Sequence, residues 1–169
     1  MTKVFCDIAD LSLIKKFNSK KIVKGFTTNP RLMRKAGAKN YSKYCKEILK
    51  ITKKPISFEV FADDDVNIIR QANKIKSWSN QIFVKVPVTN SKGIFLGKVI
   101  NHLNNKNIKL NITAVYTAKQ TLQILKKINK KTKVIISIFA GRMADKGKDP
   151  VPEFKKSIML AKKYVFQSY

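Results

Sequence analysis

The sequence predicts an α/β protein built on a parallel sheet, and three observations carry that reading. Six short segments rich in Val, Ile and Phe recur along the 169 residues, amphipathic stretches of helical spacing separate them, and the segment starts lie 18 to 34 residues apart. That spacing is what right-handed crossovers through helices need. In order, the segments are residues 4–8 (VFCDI), 22–26 (IVKGF), 56–60 (ISFEV), 82–88 (IFVKVPV), 110–115 (LNITAV) and 133–139 (KVIISIF). Each is short, β-branched or aromatic, and bounded by polar residues, so each reads as a strand. Between them, Val66, Ile69 and Ile75 follow an acidic start at Asp63 to Asp65, and Leu122, Leu125 and Ile128 follow Thr117 as an N-cap, so both stretches read as helices covering the sheet.

An open doubly wound sheet and a closed β/α barrel both fit this alternation. Neither a GxGxxG nor a GxxxxGK[ST] loop is present to favour a nucleotide-binding sheet. With 44% hydrophobic residues and no linker or low-complexity stretch, residues 1–169 are expected to form a single domain.

The charge is conspicuous: 36 basic residues against 10 acidic ones give +26. Such an excess suggests nucleic acid or an anionic membrane as partner. However, only Arg31, Arg34, Arg70 and Arg142 are arginines, and the remaining excess is Lys in a chain also rich in Ile and Asn, the residues of A/T-rich codons. Base-reading proteins use the planar fork of Arg. The lysines also alternate with apolar residues, as in LQILKKINKK, which is how a solvated helix face reads. Nucleic acid is therefore disfavoured as a partner. No run approaches the roughly 18 apolar residues of a membrane span and no signal-peptide pattern opens the chain, so a cytoplasmic location is expected. Cys6, Cys45 and the single His102 lack metal-ligand spacing, and no metal or cofactor is expected.

Polar residues within the strands point to chemistry. Side chains alternate across a strand, so Ile82, Val84, Val86 and Val88 face outward under helices while Phe83, Lys85 and Pro87 face inward. The same alternation turns Asp7, Glu59, Asn111, Thr113, Ser137 and Phe139 inward, and GFTTNP brings Thr27, Thr28 and Asn29 to the end of the second strand. Burying unpaired charge costs several kcal/mol, so such a set is either mutually paired or used. In a β/α barrel these residues converge at the C-terminal mouth. A desolvated lysine can add to a carbonyl as an amine nucleophile and form a Schiff base, with neighbouring acids moving protons. Hydroxyls and amides suit a polyhydroxylated substrate, and Arg142, after the sixth strand, suits a phosphate.

The motifs DIAD, GFTTNP, SFEV, VKVPVT followed by KGI, LNITAVYTAKQ and ISIFAGRMADKGKDP occur in this order over residues 3 to 152. In that combination the chain resembles the transaldolase family, in particular its small single-domain branch, which includes fructose 6-phosphate aldolase. The resemblance implies a TIM-type (β/α) barrel and a Schiff-base lysine at Lys85. It implies that Asp7 accepts the proton of the hydroxyl beyond the breaking bond and that Glu59 and Thr113 hold the water that shuttles protons. It further implies that Asn29 and Asn111 bond the dihydroxyacetone hydroxyls, that Thr27 and Ser137 line the site with Phe139 packed on it, and that Arg142 binds phosphate. Glu59 favours transaldolase over the aldolase branch, which carries Gln there. Sugar phosphates are the implied substrates, and a homo-oligomer is compatible with the resemblance.

The resemblance also implies two further strands, the seventh carrying a Ser and an Arg toward the substrate phosphate. Here PVPEFKKSIMLAKKYVFQSY leads to Tyr169, with Phe154, Ile158, Ala161 and Val165 on one helix face, so the expectation is six of eight βα units. Open strand edges would then leave the barrel short of neighbours. A truncated sequence, a decayed copy, or a partner chain supplying the missing wall would each account for this, in that order of preference. The functional expectation is a transaldolase-type enzyme, with an inactive or truncated remnant and a basic nucleic-acid-binding protein as the alternatives.

Overall fold

In the computed structural model, residues 2–166 are described, with the side chains of residues 165 and 166 excepted. Six strands form one sheet in chain order: β1 (Val4–Asp7), β2 (Val23–Thr27), β3 (Ile56–Glu59), β4 (Ile82–Pro87), β5 (Leu110–Val115) and β6 (Val134–Ile138). The ladders β1–β2, β2–β3 and β5–β6 are parallel. Helices alternate with the strands: α1 (Leu11–Asn18), α2 (Pro30–Lys35), α3 (Tyr41–Ile51), α4 (Asp65–Lys76), α5 (Gly97–Asn105), α6 (Ala118–Leu125), α7 (Ala140–Ala144) and α8 (Val151–Phe166). Sequential parallel strands with intervening helices are the topology of a TIM-type barrel, here with six βα units among the described residues.

The chain divides into two compact units, one holding the residues up to Ala62 with Arg70–Val84, the other Asp63–Ile69 with the residues from Lys85 onward. In the first, Ile14, Phe26, Met33, Ile48, Ile56 and Phe58 are fully buried between the sheet and its helices. Asp10 starts α1, Asn29 α2 and Asn40 α3, each by accepting an amide hydrogen bond from three residues on. Gly25 is required by close approach: a Cβ there would lie 2.2 Å from the Phe5 ring and 2.6 Å from the Pro55 carbonyl oxygen.

The second unit buries Ile100, Leu103, Ile108, Leu110, Ile112 and Val115. Thr117 caps α6 as expected, and Gln120 completes a capping box. Two expected helix faces shift. Val66 is 76% exposed, and α4 buries Ile68 and Ala72 alongside the expected Ile75. On α6, Leu122 is exposed while Thr121 is buried, its hydroxyl paired with Ser157 of α8 at 2.9 Å. The expected face of α8 is partly open: Phe154 and Ile158 are 46% and 41% exposed and, with Ala161, line an apolar groove of about 600 Å³ against Val134, Ile136 and Ile138 of β6. Val165 lies outside the described side chains. No helix among the described residues is long and apolar enough to cross a membrane.

Candidate active site

In the first unit the expected residues sit at the C-terminal ends of three adjacent parallel strands. Asp7 is the last residue of β1, Thr27 of β2 and Glu59 of β3. Asp7 is in register with Thr27, and Thr27 with Ser57. Registered partners share a face and side chains alternate along a strand, so Asp7, Thr27, Ser57 and Glu59 face one side. Asp7 is exposed, whereas Thr27 and Glu59 are half-buried. Asn29 follows as the N-cap of α2, its Oδ1 accepting the Leu32 amide at 2.9 Å, which leaves its side-chain amide nitrogen to donate elsewhere. Beneath the end of β3, Tyr41 donates from its hydroxyl to the Glu59 carbonyl oxygen at 2.7 Å. Burial, then the nearby Cys45, pushes the Tyr41 phenol above its usual range, so it stays a donor.

Sequence reasoning placed Thr28 at this strand end without giving it a role, and passed over Ser57. Ser57 and Thr28 are both buried, and the Thr28 amide donates to the Ser57 carbonyl oxygen at 3.2 Å. Ser57 had a signal, since it stands two residues before Glu59 and so on the same face.

In the second unit Lys85 lies in β4 between buried Val84 and Val86 and is itself 7% exposed, the one buried charged side chain among the described residues. β4 and β5 are neighbours, and the Val88 amide donates to the Thr113 carbonyl oxygen at 2.9 Å. Asn111 and Thr113 are both buried on β5. Ser137 of β6 donates from its hydroxyl to Asn111 Oδ1 at 2.7 Å, which fixes the orientation of that amide. Thr113 Oγ1, in a side chain only 1% exposed, has no hydrogen-bond partner among the described residues, the arrangement expected where a water or substrate hydroxyl is to be held.

Local strain re-aims the end of β5. The β5–β6 register shifts between Ile112 and Val115, and Ala114 takes a left-handed φ of 58°. Strict alternation would turn Val115 the same way as Asn111 and Thr113. The bulge instead pairs it with Ile138 and buries it with the outward apolar set. Beyond β6, Phe139 forms an edge contact with Tyr116, ring centroids 5.8 Å apart, and the Arg142 guanidinium lies 6.0 Å from the Phe139 ring centre. Arg142, on α7, is otherwise exposed. Among the described residues no group of three or more His, Cys, Asp or Glu could hold a metal.

Within the second unit, a buried lysine with an amide and a hydroxyl on the neighbouring strand and an arginine beyond the last strand is equipped for carbonyl chemistry on a hydroxylated, anionic substrate. Comparison with known proteins agrees. The model of the family described as Transaldolase/Fructose-6-phosphate aldolase matches residues 4–168. A "Probable transaldolase" of Methanococcus maripaludis strain C5 is 35% identical over 147 residues, covering 87% of this chain and 64% of that protein. Another of that name from Thermoplasma volcanium is 36% identical over 149 residues, covering 87% and 63%. One from a Thermoanaerobacter species is 34% identical over 143 residues, covering 85% and 62%. The chain thus spans less than two thirds of the length of these curated relatives.

Proposed function

The chain belongs to the transaldolase/fructose-6-phosphate aldolase family, and on that premise we propose that it serves the transfer of a dihydroxyacetone unit from a ketose phosphate to an aldose phosphate. The observation that carries the reading is Lys85, a charged side chain buried in a Val-rich strand with Asn111 and Thr113 on the strand beside it. Burying an ammonium is costly unless the group is used or compensated, and an amine nucleophile in water-poor surroundings is a use.

In this reading the Lys85 amine adds to the ketose carbonyl and water leaves, giving an iminium. Asp7 accepts the proton of the hydroxyl beyond the bond to be cleaved. That bond's electron pair moves into the iminium, the aldose phosphate departs, and the three-carbon unit stays on Lys85 as an enamine until an acceptor aldehyde captures it. Hydrolysis then returns the amine. Glu59 and the buried Thr113 hydroxyl hold the water of the dehydration and hydrolysis steps. The side-chain amides of Asn29 and Asn111, oriented by hydrogen bonds to their oxygens from Leu32 and Ser137, bond the dihydroxyacetone hydroxyls. Thr27 and Ser137 line the site, Phe139 packs on it, and Arg142 takes the phosphate. The substrates are sugar phosphates and the setting is the cytoplasm.

Glu59, where the aldolase branch carries Gln, supports transfer over simple cleavage. Incubation with fructose 6-phosphate should therefore yield free aldose phosphate at a substantial rate only when an acceptor aldose phosphate is added. Equal release without acceptor would reassign the chain to aldol cleavage.

A further inference from the structure

Two cavities of the first unit meet at one exposed ring. Phe61 stands two residues beyond β3, and its side chain is 63% exposed. The backbone carrying it is nevertheless fastened. The amides of Phe61 and Ala62 both donate to Gln71 Oε1, at 2.9 and 3.1 Å, and the Phe61 ring meets Tyr41 edge-on with centroids 5.5 Å apart. A ligand reaching Phe61 meets a ring already held in place, so little ordering cost falls on binding.

To one side lies a cavity of about 510 Å³ with Ile75 and Trp78 in its wall and Arg70 and Lys74, one helical turn apart on α4, contributing cations. To the other lies a cavity of about 390 Å³ that Arg34 and Lys39 help to line. Tyr41 and Phe61 border both, and no acidic side chain among the described residues lines either. Lysines carry little information in a chain of this composition, but Arg34 and Arg70 are two of only four arginines.

We infer that these cavities form a binding site for a phosphorylated compound bearing a planar ring, a nucleotide, its ring stacked on Phe61 and its phosphate held by Arg70. The combination selects this class. Inorganic phosphate or a sugar phosphate would have no use for the aromatic wall, and a neutral ring would have none for the arginines. Arginine pairs with phosphate through two parallel hydrogen bonds, and an exposed aromatic face is a sequence-tolerant platform for a base. Cavities of this size suit small ligands. Nucleotide binding here does not require the chemistry proposed at Lys85, although Tyr41 also donates to the Glu59 carbonyl oxygen.

Trp78 lines the larger cavity and is the only tryptophan of the chain, so its emission, excited at 295 nm, reports directly on occupancy. Titration of the folded chain with adenosine 5′-monophosphate should give a saturating change, with adenosine, ribose 5-phosphate and inorganic phosphate each binding about fivefold or more weakly. Phe61→Ala and Arg70→Gln, both at exposed positions, should each weaken the nucleotide by a similar factor, while Lys119→Gln on the exposed face of α6 should not. Circular dichroism of each variant establishes that it is folded. An unchanged emission, or inorganic phosphate binding as tightly as the nucleotide, would overturn the proposal, whatever the outcome at Lys85.

Discussion

β5 and β6 are both mainly apolar, yet they differ in burial. LNITAV buries five of its six residues, whereas VIISI, apolar but for Ser137, is half-buried at every position. Strand propensity does not separate them; neighbours do. β5 has β4 and β6 on its two sides, while β6 is last in the sheet order and shares its outward face with the groove beneath α8. Apolar sequence creates the demand for burial, and the adjoining element satisfies it.

The largest expected effect separates the two strands energetically. Ile112→Ala, at a fully buried site on β5, should cost about 3 kcal/mol, and Ile136→Ala on β6 about 1 kcal/mol, in urea unfolding. Equal losses would mean that the β6 face is covered in solution.

The same contrast explains what could be read from the residues alone. Every strand boundary lies within one residue of the expected one, because Val, Ile and Phe runs bounded by polar residues leave few alternatives. Lys85 stood out because it interrupts such a run. Helix faces were harder: Val66, Ile68, Ile69, Ala72 and Ile75 permit two stripes on α4, and only packing selects the one through Ile68. Thr121 is buried as a polar residue because Ser157, 36 residues away, supplies its partner. The bulge in β5 left no trace, since nothing in LNITAV marks Ala114 for a left-handed φ that glycine or asparagine usually takes.

That bulge gives the next prediction. Ala114→Gly should relieve the strain and raise stability by up to about 1 kcal/mol in the same unfolding measurement. A loss of stability would show that the Ala114 methyl packs more than its φ costs.

The smallest effect contrasts interior and edge through the two thiols. Burial pushes the Cys45 thiol up to about 12, whereas Cys6 is half-buried on β1. The folded chain keeps Cys45 protonated while the unfolded chain ionises near the ordinary thiol value. The contribution is therefore whole below that value and declines as pH rises toward 12. At pH 8.5 iodoacetamide should modify Cys6 and spare Cys45 until the chain is unfolded, as read by peptide mass. Equal labelling of the native chain would contradict the buried environment of α3.

The central claim is that Lys85 is an amine nucleophile, and borohydride trapping reads it without turnover. Incubation of the folded 169-residue chain with fructose 6-phosphate and borohydride should leave a reduced three-carbon adduct, located by peptide mass at Lys85 and lost in Lys85→Met. Soluble, folded chain that gains no adduct, under conditions where a full-length relative does, would contradict the account.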